Sequence, residues 1–536
     1  MREKARFVPF DENGVFGPAI GEVRRLAVRG AGATMFSGGV TLVAQIASTL
    51  VLARLLTPAD FGLVAMVTTF SLLLTNFGLN GFTEAVLQQE ELDHALASNL
   101  FWINLVAGAL LSVGFAAAGS LLARFYREPA LIKITVGISI SIFLTSTSVL
   151  HLALLRRAMR FGTVSANDIV ARVVSVVLSM ILAWAGFGYW ALVAGTIAVP
   201  LSQSLGAWYR CRWLPGLPRH AAGTGSMLSF ALNVYSRFGV NYLARNMDNL
   251  LVGWRFGAHS LGFYKKAYDL FALPASQITA PLANVAISAL SKFKGDSFQF
   301  RRHIIGSITL MALVGMGVGA NLTLTGRDLI RLFLGPSWGE AGRIFTFFGP
   351  GIGITLLYYT QGWIHLSIGR ADRWLRWSIF ESIFTGLLFL LALPWGPAGI
   401  AAAWTASYWI LLFPAFWYAG RPAGIGLAPF VDAIWRYILA STLAGGICYV
   451  ATGYMQNLMI MAGWGGAFVR IAVESLLFWA LYLGAVILLY GGTESLLLLV
   501  TLLKEMIPES VLSRLSPAKT LSRSNSLNSE DCGEGA

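Results

Sequence analysis

The chain has 536 residues, 56% of them hydrophobic and 12% charged, with a mean hydropathy of +0.66. That is far too apolar for a soluble protein of this size, and it marks a polytopic membrane protein. The formal net charge of +13 would suit a nucleic-acid binder, but the basic excess is spread over loops between apolar stretches, as membrane orientation alone requires.

The first 29 residues carry Arg2, Lys4, Arg6, Arg24, Arg25 and Arg29 without a cleavable apolar core, so a cytosolic N-terminus and no removable signal are expected. A span needs about 20 mostly apolar residues. Fourteen such stretches follow, at 31–53, 61–83, 97–121, 132–154, 164–185, 188–209, 227–256, 262–289, 303–324, 341–366, 374–393, 397–418, 431–455 and 467–490. With the N-terminus inside, 24 Lys and Arg fall on cytosolic segments and 10 on external ones, which places both termini in the cytosol.

The first span ends in Ala53-Arg54-Leu55-Leu56-Thr57-Pro58-Ala59-Asp60-Phe61-Gly62, a turn whose Pro and Asp stop one helix and start the next. Some 200 residues later Val252-Gly253-Trp254-Arg255-Phe256-Gly257-Ala258-His259-Ser260-Leu261-Gly262 occupies the corresponding place. A second echo, 208 residues apart, pairs Gly188-Tyr189-Trp190-Ala191-Leu192-Val193-Ala194 with Gly396-Pro397-Ala398-Gly399-Ile400-Ala401-Ala402. The expected fold is therefore all-α, with about fourteen transmembrane helices in two pseudo-symmetric six-helix lobes plus two extra helices. The expected division is a basic cytosolic segment (1–29), a first lobe (30–210), a cytosolic linker (211–226), a second lobe (227–420), spans 13 and 14 (421–490), an interfacial helix (491–515) and a disordered Ser-rich tail (516–536).

The seventh stretch carries a polar stripe: Asn233, Arg237, Asn241, Arg245, Asp248 and Asn249. Steps of three and four residues put these side chains on one helical face. A charge at the centre of a lipid-facing helix costs roughly 2.5–3.5 kcal/mol on insertion scales, so the stripe must face protein or water. Arg245 with Asp248, Asp168 with Arg172, Asp432 with Arg436 and Arg470 with Glu474 have the spacing of local ion pairs. Arg237 has no acid within a turn and Glu381 no base on its own face, so either the two pair across helices or Arg237 awaits an anion.

Enzymatic motifs are wanting. Gly335-Pro336-Ser337-Trp338-Gly339 fits the G-x-S-x-G pattern, but it lies between helices with Pro just before the Ser. There is no H-E-x-x-H, and the absence of Gly-Lys excludes a Walker A loop. Cys211, Cys448 and Cys532 lack metal or redox spacing, and no cofactor or metal is expected. The runs Gly315-Met316-Gly317-Val318-Gly319 and Gly349-Pro350-Gly351-Ile352-Gly353 read as close-packing sites. Pro200, Pro274, Pro281, Pro350 and Pro414 fall inside spans, where they kink helices.

The 53–62 turn, Arg245-Asn246-Met247-Asp248-Asn249-Leu250-Leu251-Val252-Gly253, Leu261-Gly262-Phe263-Tyr264-Lys265-Lys266-Ala267-Tyr268 and Leu334-Gly335-Pro336-Ser337-Trp338 together carry a family resemblance. From about Met35 to Tyr490 the chain resembles the Wzx-type bacterial polysaccharide flippases of the multidrug/oligosaccharidyl-lipid/polysaccharide exporter superfamily, most closely the colanic-acid and exopolysaccharide exporter branch. The resemblance implies alternating access, a cationic central cavity for the diphosphate of an undecaprenyl-linked oligosaccharide, and a structural role for the Gly335–Trp338 loop. It also implies residence in the bacterial inner membrane, membrane lipids as partners, and contact with a polysaccharide polymerase or export machinery. On this reading the substrate-binding residues are Arg237, Asn241, Arg245, Asp248 and Asn249 of span 7 and Arg54 at the end of span 1. Arg237 and Arg245 attract the diphosphate, Asn241 and Asn249 bond sugar or phosphate oxygens, and Asp248 orients Arg245 or exchanges a cation. A cation-coupled drug exporter of the same superfamily predicts a cavity dominated by acids and aromatics. A membrane polymerase or glycosyltransferase predicts acids or His converging on a large external loop, and the external loops are short.

Overall fold

In the computed structural model, residues 9, 10, 16, 23–76, 81–89, 92–218, 224–293, 296–455 and 464–492 are described. The tail 516–536, residues 493–515 of the expected interfacial helix and most of 1–29 lie outside the described residues. In chain order the helices are α1 (Val23–Leu55), α2 (Pro58–Asn76), α3 (Thr83–Gln88), α4 (His94–Tyr126), α5 (Leu131–Arg157), α6 (Phe161–Trp184), α7 (Tyr189–Cys211) and α8 (Thr224–Arg245). They continue as α9 (Met247–Lys292), α10 (Ser297–Leu334), α11 (Gly339–Tyr358), α12 (Thr360–Ser367), α13 (Ala371–Ala392), α14 (Gly396–Gly420), α15 (Ala428–Met455) and α16 (Trp464–Tyr490). The chain is nearly all helical, with no strand among the described residues beyond one isolated Phe10–Phe16 bridge.

Among the described residues ten segments are long and apolar enough to cross a membrane, and one of them, 371–423, contains both α13 and α14. The expected spans at 227–256 and 262–289 rest in part on side chains outside those described, and the one at 341–366 is not among the ten. They fall on α8 with the start of α9, on the rest of α9, and on α11 with α12. The break at Tyr359 divides 341–366 into α11 and α12.

Helix ends follow local chemistry. Thr57 and Asp60 form a reciprocal box at the start of α2: the Thr57 N–H donates to Asp60 Oδ2 at 2.9 Å and the Asp60 N–H to Thr57 Oγ1 at 3.3 Å. Asp93 caps α4 by accepting from the Leu96 N–H at 2.6 Å, and Asp296 caps α10 by accepting from the Phe298 and Gln299 N–H groups at 3.0 Å. The second sequence echo is geometric as well, because Gly188 and Gly396 start α7 and α14 with φ of 55° and 74°. An L side chain rarely adopts that conformation.

Three buried clusters organise the bundle. The first lies at the end where α1 turns into α2, here the Pro58 end, and joins both halves of the chain: Leu56, Phe61 and Met66 pack in it with Val252, Leu261, Tyr264 and Trp338. At the opposite end the halves have separate cores. One is built from α3, α4, α5 and α7 around Leu100, Leu150 and Leu154. The other is built from α10, α11, α14, α15 and α16 around Ile308, Phe416, Tyr437 and Phe478. In the second core region α10 and α11 touch glycine to glycine: a Cβ on Gly315 would lie 2.8 Å from the Gly353 carbonyl oxygen, as the close-packing reading of those runs expects.

The seam at the Pro58 end is reciprocal. A Cβ on Gly62 would fall on the Ala258 carbonyl oxygen, and a Cβ on Gly262 on the Pro58 carbonyl oxygen, so α2 and α9 meet backbone to backbone. Trp338, with no exposed surface, seals the contact. Its ring meets Phe61 and Phe263 edge-on at 5.5 and 5.8 Å, and its Nε1–H donates to the Ala53 carbonyl at 2.8 Å. Lys266 lies 4.3 Å from the centre of the Phe61 ring. The Gly335–Trp338 loop is thus a structural plug between the halves. Ser337 sits in a short 3-10 turn within it.

Candidate functional site

The polar stripe does not stay on one helix. α8 ends at Arg245, Asn246 leaves helical geometry (φ −112°, ψ 11°), and α9 begins anew at Met247. A second break follows at Gly257, whose φ of 79° and ψ of 180° only Gly accepts readily. The first break divides the stripe into two groups with different surroundings.

Asn241 and Arg245 face a chamber at mid-height of the second half of the bundle. Its other walls are Tyr268 of α9, Tyr359 at the α11–α12 junction, Glu381 of α13, and Trp404 and Tyr408 of α14. The free volume is about 60 Å³, room for a couple of waters at ~30 Å³ each in the liquid and not for a sugar. A large ligand therefore needs a wider chamber than this one.

The polar groups of the chamber are fixed unequally. Tyr358 donates its hydroxyl to Glu381 Oε2 at 3.0 Å, and Trp377 donates its Nε1–H to the Tyr358 oxygen at 2.6 Å. Trp377 stacks on Tyr418 at 5.4 Å. Glu381 is thereby tied back to the wall. Arg245 has Glu381, Tyr359, Tyr408 and Tyr268 as electrostatic neighbours, yet among the described residues no carboxylate reaches ion-pair distance of 4.0 Å from it. A guanidinium ringed by hydroxyls and held short of its counter-charge can accept an anionic oxygen without first breaking an ion pair.

The rest of the stripe lies elsewhere. Asp248 is 2% exposed and accepts from the Tyr264 hydroxyl and the Asn249 N–H, each at 2.8 Å. It does not pair with Arg245, because the break at Asn246 turns it away. Asn249 is also buried and donates to Asn246 Oδ1 at 3.3 Å. Arg54 lies at the seam, where it donates to the Leu332 and Phe333 carbonyls at 3.0 and 3.5 Å and so caps the end of α10. Neither Asp248, Asn249 nor Arg54 lines the chamber. The side chains of Arg237 and Asn233 lie outside those described. The charge facing Glu381 in the chamber is Arg245, which sequence spacing had assigned to Asp248.

Other local ion pairs also give way to tertiary partners. Arg470 forms a two-point bond with Asp328 of α10 at 2.6 and 3.0 Å instead of pairing with Glu474 one turn on. Asp168 accepts from Gln203 Nε2 at 2.9 Å, and Arg436 lies 4.6 Å from the centre of the Tyr490 ring. The sequence reading missed Tyr268, Tyr359, Trp404 and Tyr408. Aromatic residues in an apolar span look like ordinary core, and only an adjacent Tyr358-Tyr359 pair set them apart.

A family profile described as polysaccharide biosynthesis protein matches residues 51–343. The chain is 24% identical over 424 residues to the teichuronic acid biosynthesis protein TuaB of Bacillus subtilis (strain 168), covering 78% of this chain and 86% of that protein. It is 21% identical over 342 residues to the succinoglycan biosynthesis transport protein ExoT of Rhizobium meliloti (strain 1021), covering 62% and 68%. Among solved structures, the lipid II flippase MurJ in an inward closed conformation superposes with a TM-score of 0.67 at 14% identity, over 86% of this chain and 99% of that one.

Proposed function

This chain belongs to the polysaccharide biosynthesis protein family, and from that premise we propose that it is a flippase carrying an undecaprenyl-diphosphate-linked oligosaccharide across the bacterial cytoplasmic membrane. The observation that carries this reading is Arg245, unpaired with any described carboxylate inside a chamber of hydroxyls and aromatic faces. The diphosphate meets Arg245 through two oxygens, the Tyr359 and Tyr408 hydroxyls add hydrogen bonds, and Trp404 and Tyr268 offer faces for a sugar ring. Arg237, which the family resemblance also assigns to the diphosphate, remains part of the proposal.

Two six-helix lobes work by alternating access on this reading, with spans 13 and 14 packed outside them, both termini cytosolic and the Pro58 end external. The seam of Gly62, Gly262 and Trp338 then closes the outer side, and the separated cores leave the lobes free to part on the inner side. Opening the seam while the opposite ends approach exposes the chamber outward. No step requires a covalent bond to change, so transport and not catalysis is the activity. Contact with a polysaccharide polymerase or other export proteins belongs to the same proposal.

The test is Arg245→Ala and Arg245→Lys in a strain lacking the gene. Surface polysaccharide should disappear with Ala and stay low with Lys, since an ammonium cannot grip two oxygens with a planar fork. Lipid-linked oligosaccharide should accumulate on the cytosolic leaflet while protein abundance stays normal. Normal export from Arg245→Ala would end the proposal. Glu381 supports a second reading, a cation-coupled drug exporter of the same superfamily. It predicts that Glu381→Gln abolishes transport while Arg245→Ala spares it.

A further inference from the structure

Away from the chamber, two openings on the outer face of α11, α13 and α14 share Arg343, Trp395 and Ala398 and so form one groove. Its upper part, about 360 Å³, lies at the Pro58 end and is bordered by His259, Glu340 and Arg343. Its lower part, about 510 Å³, runs between Leu388, Leu391 and Ala402. Both volumes fall in the ~300–1,000 Å³ range of small-molecule sites. The groove is thus polar at the rim and hydrocarbon along its length, the order of a lipid entering from the interface.

The rim states which lipid. Glu340 and Arg343 stand 3.8 Å apart with 59% and 60% of their side-chain surface exposed. So loose and wet a pair is weakly bound to itself, and both charges remain available. Beside them Trp395 is 73% exposed, where an indole sits at the headgroup level of a bilayer. One cation and one anion sum to zero, so the rim complements a headgroup that also carries one of each. A polyprenyl diphosphate would set its negative charges against Glu340, and a quaternary ammonium has no N–H to give it.

We propose that this groove binds one aminophospholipid, with its phosphate on Arg343, its ammonium on Glu340 and an acyl chain along α13 and α14. Leu388 and Ala403 face the groove while their neighbours Phe389 and Trp404 face the chamber. The same helix pair is the wall between them, so a bound lipid steadies the chamber from behind. This inference stands whichever cargo the chamber takes.

The experiment is native mass spectrometry of the full chain released from nanodiscs of equal phosphatidylethanolamine, phosphatidylglycerol and phosphatidylcholine. Wild type should retain one phosphatidylethanolamine about tenfold over either other lipid, the worth of one charge-assisted hydrogen bond. Glu340→Gln and Arg343→Gln should each remove that preference. Ala402→Phe, which fills the groove, should remove the retained lipid while leaving the rim charges in place. An unchanged thermal midpoint in detergent shows that each variant is folded. Equal retention of the three lipids would mean ordinary annular lipid and overturn the proposal, as would a preference for phosphatidylglycerol or for added polyprenyl diphosphate.

Discussion

At the seam, Gly62 and Gly262 stand where any side chain would strike a carbonyl of the facing helix. Gly62→Ala forces the α2 and α9 backbones apart, and overpacking of this kind costs about 1–3 kcal/mol. The strain exists only while the Pro58 end is closed, so it should shift the closed-to-open ratio about 5- to 150-fold. Gly262→Ala should do the same, because its contact is the mirror of the first. The double variant should gain little over either single, since backbones already parted for one Cβ leave room for the other, and neighbouring changes of this kind are not additive. The assay is labelling from outside by a membrane-impermeant maleimide of a Cys placed at Ala53, which is 1% exposed in the closed seam. Cys211 and Cys448 are buried and stay silent, and Cys532 is replaced by Ser. Faster labelling in both singles, with the double close to them, is the expected pattern. If neither single changes the rate, or if the double multiplies the two effects, the reasoning about the seam is wrong.

Trp338→Phe keeps the ring contacts but leaves the Ala53 carbonyl without its donor. It should cost about 1–3 kcal/mol in the closed form and raise the same labelling rate without lowering membrane abundance. Arg470→Met strands Asp328. A buried pair broken on one side costs about 3–5 kcal/mol, but these side chains are 23% exposed, so a loss nearer 1–2 kcal/mol is expected, read as a lower thermal midpoint in detergent; Asp328→Leu added to it should restore the midpoint. Tyr358→Phe frees Glu381 to swing onto Arg245. Export should fall several-fold at normal abundance, whereas full export would show that tying Glu381 back is unnecessary.

Much of the architecture is legible in the chain because a bilayer asks one simple thing of a helix, about 20 apolar residues. The 53–62 and 252–262 echoes were also legible, and their glycines prove to touch one another's partners. What stayed hidden depended on distance in space. The break after Arg245 is set by Asn246, which looks like one more polar residue in a helical stripe, so Asp248 was credited to Arg245 when Tyr264 holds it. Arg470 has Glu474 a turn away and still chooses Asp328, 142 residues distant, because helix packing fixes which carboxylate its planar fork can meet squarely. The aromatic chamber was illegible for a related reason: Tyr359 and Tyr408 become polar neighbours of a charge only once α8, α11 and α14 are brought together.

The seam has the form of an interface between two like subunits. Position 62 meets 258 and position 262 meets 58, the i-to-j and j-to-i exchange that a two-fold axis imposes on a dimer. A single chain is under no obligation to keep such an exchange, since its halves mutate independently. Here each half supplies both a glycine and the carbonyl that needs the partner's glycine, so neither half can enlarge its own residue without crowding the backbone of the other. The two halves are therefore bound to a shared restriction on size, as identical subunits would be.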